Sequence, residues 1–195
     1  MVTRVITSLA SVVEAATSKV ASPFTITLAR EVISLVAKFL PKALENAEDL
    51  EARYYLAYAA LMGGVCFDNG LLHYTHALEH PLSAVKHELS HGLGLAILLP
   101  SVVKAIYPAK EDALKYILEP IAGKVNSAQE AADGVYEWLK SVGVPNKLSD
   151  ERFSETDVDR LTELAFTTPS LGLLLSMAPT EASKEIVRQI YKESI

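Results

Sequence analysis

The sequence predicts an all-α domain, a multi-helix bundle, and three observations carry that prediction. Apolar residues recur at helical spacing in almost every segment, for example at Ile33, Val36, Ala37 and Leu40, and again at Leu161, Leu164 and Ala165. Alternating apolar and polar patterns of the strand kind are scarce. Pro41, Pro108, Pro145 and Pro179 fall at the joins between periodic segments, where a missing backbone donor costs least.

Helices are expected over about Thr3–Ser18, Thr25–Leu40, Asp49–Glu79, Ser90–Ile106, Lys110–Glu119, Ser127–Val142, Ser154–Thr167 and Thr180–Glu193. Asp49 and Ser154 precede apolar runs and can accept from the orphan amides of a first helical turn. Thr180 is a third candidate cap, with Glu181 suited to the first turn, although Ser183 does not complete a capping box. Gly143 to Arg152 is polar and turn-rich, as a loop would be. No internal repeat or linker divides the chain, so residues 1–195 read as a single helical domain. Tyr54, Tyr55 and Tyr58 are expected in core and helix contacts, not on a binding platform. The apolar run Leu171–Met177, with Val102, Val103 and Ile106, either packs internally or forms a face for a second domain or subunit.

Composition narrows the function classes. Eighteen Lys and Arg against 24 Asp and Glu give 18 − 24 = −6, with no long run of either sign, so nucleic acid is not an expected partner. The single cysteine, Cys66, forms no internal disulfide and suits a reducing, cytoplasmic setting. Glu14 interrupts the mildly apolar first twenty residues and no cleavage site follows, so no signal peptide is expected. Tyr54–Phe67 and Gly92–Val103 are apolar but shorter than the ~20 residues that cross a bilayer, and no membrane partner is expected.

All five histidines, His73, His76, His80, His87 and His91, lie within nineteen residues. On one continuous helix they would share an arc of about 60°. Pro81 argues against that continuity and places His80 at a break, with His91 on the following element. His76 and His80 have the i, i+4 spacing that stacks two imidazoles, and a third ligand from a later turn would complete a Zn²⁺ or Fe²⁺ triad. A wet helical face, or buried histidines bonded to backbone, fits the same spacing. Asp68 and Glu79 are the nearby carboxylates.

The stretch Asn69-Gly-Leu-Leu-His-Tyr-Thr-His-Ala-Leu-Glu-His-Pro-Leu-Ser-Ala, with Glu88-Leu-Ser-His-Gly-Leu-Gly-Leu-Ala-Ile-Leu-Leu-Pro100, resembles the signature of the iron-containing alcohol dehydrogenases, within the dehydroquinate synthase-like superfamily. The resemblance extends through Glu14-Ala15, Ser22-Pro-Phe-Thr25, Glu51-Ala-Arg53, Ala57-Tyr-Ala59 and Val142-Gly-Val-Pro145. It implies the fold of that family's C-terminal, metal-binding half. It also implies that His76 and His91 are metal ligands and that His80 lines the cleft where substrate and nicotinamide meet. His80 is thus the candidate catalytic residue and, with His76 and His91, a candidate ligand.

Two departures from the family pattern bear on chemistry. The family's other two ligands are an aspartate and, four residues on, a histidine; Thr7 and Ser11 stand in those positions. His73 occupies a position that is usually glycine, and His87 is a further extra imidazole. No Gly-rich loop following a strand is present to bind a dinucleotide. The expectation is a helical domain with an incomplete site that holds a divalent ion (Fe or Zn) weakly and is not an independent NAD(P)-dependent oxidoreductase. Two alternatives stand beside it. One is the metal-binding subunit of a split dehydrogenase, taking NAD(P) only with a separate nucleotide-binding chain. The other is a non-enzymatic metal-binding or assembly module, with self-association possible in either case.

Overall fold

The computed structural model describes residues 2–195, and all regular structure among them is helical. The helices are α1 (Val2–Thr17), α2 (Pro23–Glu45), α3 (Leu50–Gly70), α4 (Tyr74–Val85), α5 (His91–Ala122), α6 (Ala128–Ser141), α7 (Val158–Thr167), α8 (Leu171–Met177) and α9 (Lys184–Ser194). A 3₁₀ turn, Glu155–Asp157, leads into α7.

Helix α1 is the hub. Every residue from Leu9 to Thr17 is buried, and α2, α3, α4 and α5 all pack on it. The run Leu9-Ala-Ser-Val-Val-Glu-Ala-Ala-Thr17 makes this possible, because small residues let neighbouring helices approach α1 from several sides. α5 is the second axis, with Leu95, Leu98, Leu99, Val102, Val103 and Ile106 fully buried. By length and apolar composition α5 could cross a bilayer, but its most apolar window is 72% buried inside the bundle, as a core helix requires.

Start signals act as their chemistry demands. Ser22 accepts from Thr25 N–H while the Thr25 hydroxyl accepts from Ser22 N–H, and Pro23 takes the first helical position. The Ser-Pro-Phe-Thr segment is therefore a helix start, two residues earlier than the periodicity alone places it. Asp49 caps α3 as expected, and Ser127, expected as a helix start, caps α6. The last helix is capped by Ser183, not Thr180.

Several expectations are corrected. The long helix over Asp49–Glu79 is two helices, because Leu71 adopts φ 61° and closes α3, and the next helix restarts three residues later. Pro81 does not break the chain at His80: both lie inside α4, where the proline forgoes only its own amide bond. Pro41 likewise lies inside α2. The separate helices over Ser90–Ile106 and Lys110–Glu119 are one run bent at Lys110 (φ −139°, ψ 31°), just after Pro108. Of the two readings left open for Val102, Val103 and Ile106, internal packing holds, since all three are core. The exposed apolar stripe runs instead along α3, through Leu50, Tyr54, Tyr58, Leu61 and Val65. Only Tyr55 of the tyrosine cluster turns inward, its ring stacked 4.4 Å from that of Phe39.

The start of α5 is pressed against the start of α1. A Cβ on Gly92 would lie 2.1 Å from the Thr3 carbonyl oxygen, so only glycine permits this approach. Gly92→Ala is therefore expected to push α5 off α1 and to cost about 1–3 kcal/mol. A denaturant midpoint equal to that of the parent chain would contradict the packing described.

Candidate metal centre

The site is built where α1, α4 and the first turn of α5 meet. Glu14 is its anchor, a completely buried carboxylate on α1. Burial alone would push its carboxyl up. The His73 and His76 imidazoles, together with hydrogen bonds from His76 and from Thr75 N–H, outweigh burial and hold it at about 2. An ionised Glu14 can only accept, so His76 donates from Nδ1 to Oε2 and Thr75 N–H donates to Oε1. That tautomer leaves the lone pair of His76 on Nε2.

A second carboxylate repeats the arrangement. Glu79, on α4 and also completely buried, receives the His91 Nδ1 proton on Oε2 and the Ser83 hydroxyl, at 2.5 Å, on Oε1. The hydrogen bond to Glu79 raises the His91 pKa above its ordinary value, outweighing the opposing effect of burial. Gly94 makes room for this carboxylate, since a Cβ there would lie 2.7 Å from Glu79 Cγ. In the Nδ1–H form His91, too, carries its lone pair on Nε2.

The three candidate imidazoles are neighbours. The ring centroids of His76 and His91 are 5.6 Å apart and those of His80 and His91 are 5.8 Å apart. His80 is exposed at the rim, and burial of its ring nonetheless holds its pKa below the ordinary value. His73 stands apart. Its Nδ1 accepts from Tyr74 N–H at 2.7 Å, capping α4, and its Nε2 meets the Thr17 hydroxyl at 3.0 Å. It is a buried structural histidine whose pKa burial lowers against the pull of Glu14. His87 is exposed on the α4–α5 loop and Asp68 is exposed on α3; neither joins the cluster.

Thr7 and Ser11 lie on α1 facing the site, but their hydroxyls are turned to their own helix. Thr7 donates to the Thr3 carbonyl at 3.1 Å and Ser11 to the Thr7 carbonyl at 2.9 Å. Ser11 Oγ is 3.5 Å from His76 Nε2. Among the described residues, no three His, Cys, Asp or Glu side chains converge as a metal-binding group. The donor set thus suits two imidazole ligands, His76 and His91, and falls short of a full first shell.

A cleft of about 1280 Å³ opens beside the cluster between the starts of α1, α3 and α5, with Thr7 and His91 in its wall. Sequence reasoning missed two components. Glu14 was visible as part of the Glu14-Ala15 pair but was given no role, because its partner His76 lies 62 residues away. Of the cleft's two arginines, Arg53 was visible only within the Glu51-Ala-Arg53 segment and Arg4 carried no local signal.

Comparison with known proteins identifies the family and the fold. The long-chain primary alcohol dehydrogenase of Thermoanaerobacter ethanolicus is 51% identical over 193 residues, covering 97% of this chain and 48% of that protein. The NAD-dependent methanol dehydrogenase of Bacillus methanolicus is 29% identical, covering 96% and 50%. The crystal structure of a 1,3-propanediol oxidoreductase superposes with a TM-score of 0.87 at 29% identity over 98% of this chain and 50% of its own. An archaeal halo-thermophilic alcohol dehydrogenase from a Red Sea brine pool gives 0.88 at 26% identity over 99% and 50%. The chain therefore spans about half the length of the relatives it matches. The pattern described as the Fe-containing alcohol dehydrogenase family, C-terminal, matches residues 2–195, and the chain belongs to that family as its all-helical C-terminal domain.

Proposed function

We propose that residues 1–195 form the metal-binding helical half of an alcohol dehydrogenase and do not oxidise alcohols or reduce aldehydes by themselves. The observation that carries the metal-binding part is the paired orientation of His76 and His91. Each gives its Nδ1 proton to a completely buried carboxylate, and each is left with an Nε2 lone pair. Carboxylate–histidine pairs of this kind fix tautomer and ring angle for ligation. With Thr7 and Ser11 in place of a carboxylate and an imidazole, two ligands hold Fe²⁺ or Zn²⁺ weakly, with His80 and water as further donors.

When bound, the ion supplies Lewis acidity to an alcohol or aldehyde oxygen. His80, at the exposed rim of the cluster, is placed to pass a proton between substrate and solvent. Hydride transfer also needs a nicotinamide held against the substrate carbon, and no element among the described residues offers a dinucleotide a Gly-rich turn after a strand. A second reading, in which a nucleotide-binding part on another chain completes a cytoplasmic enzyme, is favoured by one observation. The exposed stripe of α3 adjoins the cleft and is apolar enough to be covered on association.

Two experiments test these readings. The purified chain mixed with NAD(P)H, Fe²⁺ or Zn²⁺ and a panel of aldehydes is expected to show no turnover; robust activity would refute the proposal. Titration with Co²⁺, followed by its visible spectrum, is expected to show weak binding that His76→Ala or His91→Ala abolishes and Glu14→Gln weakens about tenfold. Ser11→His, which returns an imidazole to α1, is expected to tighten it by about tenfold or more. Binding indifferent to all four substitutions would rule out this centre.

A further inference from the structure

The cleft between α1, α3 and α5 has a charge character unlike the rest of the molecule. The protein carries a net charge of −6, yet no Asp or Glu lines the cleft, while Arg4 and Arg53 both do. Among the described residues neither arginine pairs with a carboxylate, whereas Arg30 and Arg188 both do. Arg53 is fixed at the α2–α3 turn, where Nη1 donates to the Ala47 carbonyl at 2.9 Å, leaving its other guanidinium donors unused. The wall also includes apolar Val5 and Leu56, and His91 connects it to the imidazole cluster.

We propose that this cleft binds a small-molecule anion, an aliphatic hydroxy or oxo compound bearing a carboxylate or phosphate, with Arg4 and Arg53 as its charge partners. Guanidinium groups suit both anions because their donors are planar and paired, and two of them in a concave wall outcompete water better than either alone. The apolar side chains accept the aliphatic segment, and the hydroxyl or carbonyl end reaches His91. The proposal rests on the same cleft as the functional reading above and gives its substrate a class. It requires neither the metal nor turnover.

The test is calorimetric titration of the 195-residue chain in metal-free, low-salt buffer. The probes are 6-hydroxyhexanoate, its uncharged counterpart 1-hexanol, and inorganic pyrophosphate. 6-Hydroxyhexanoate is expected to bind at least about tenfold more tightly than 1-hexanol, one charge-assisted contact being enough for that ratio. The preference is expected to vanish in the Arg4→Gln/Arg53→Gln double variant and to weaken with added salt. Both arginines are exposed, so the double variant is expected to keep the parent's melting temperature. The hydroxy acid preference is the required outcome, and pyrophosphate binding on top of it would show that the arginines accept a phosphate as well as a carboxylate, whereas its absence would confine them to a carboxylate. Equal binding of charged and neutral probes, or a preference that survives the double variant, would overturn the proposal. Because no metal is present, these outcomes are independent of the Co²⁺ titration and of the turnover assay.

Discussion

The structure depends on the compensation of one buried negative charge. Glu14 sits within the continuously buried run Leu9–Thr17 of α1, and an unpaired carboxylate there would cost more than the packing around it returns. Thr75 N–H and His76 Nδ1–H meet it, both from the first turn of α4. Amides at a helix start are already unpaired and already aimed outward, so α4 satisfies the charge with groups that needed a partner. The contact therefore fixes the angle at which α4 enters, and with it the height of His76 and His80 above α1.

The neighbouring features are consequences of that entry angle. α4 has to begin afresh at Tyr74, so α3 has to stop at Gly70, and His73 serves as the cap between them. Glu79, one and a half turns into α4, then faces the start of α5 and takes the His91 proton across the gap that Gly94 leaves open. Tyr191 on α9 donates to the Leu78 carbonyl at 2.7 Å, which ties the C-terminal helix to the same turn of α4. The cleft lies where α1, α3 and α5 diverge from this junction, so its shape and the imidazole cluster share one set of contacts.

Much of this was legible from the sequence where local chemistry decides. Asp49 and Ser127 mark helix starts because a side-chain oxygen can satisfy an orphan amide whatever the surroundings. The histidine motif put His76 on one helix and His91 on the following one, as observed, but set His80 at a break, whereas it lies inside α4 with His76. The break at Leu71 was not legible, because Leu-Leu-His carries no preference for positive φ, and the conformation is imposed by packing around α4. Pro81 misled in the opposite direction, since a proline inside a well-anchored helix loses one bond and is tolerated here. Glu79 could be named as a nearby carboxylate, but its service to His91 depends on space at Gly94, fifteen residues later.

The same contacts change what the histidines mean. Two buried carboxylates rely on His76 and His91 for a hydrogen bond, so the fold would retain both imidazoles even if no ion were ever bound. Their Nδ1 atoms are therefore evidence about folding. The Nε2 atoms are different, because they add nothing to the hydrogen bonding that holds the helices together. His76 Nε2 meets only the Ser11 hydroxyl, at 3.5 Å, and that hydroxyl already donates to the Thr7 carbonyl. Thr7 and Ser11, in turn, satisfy themselves within α1 and need nothing from an ion. The site thus divides by helix: α1 has become self-sufficient, while α4 and α5 still present two oriented lone pairs beside the cleft.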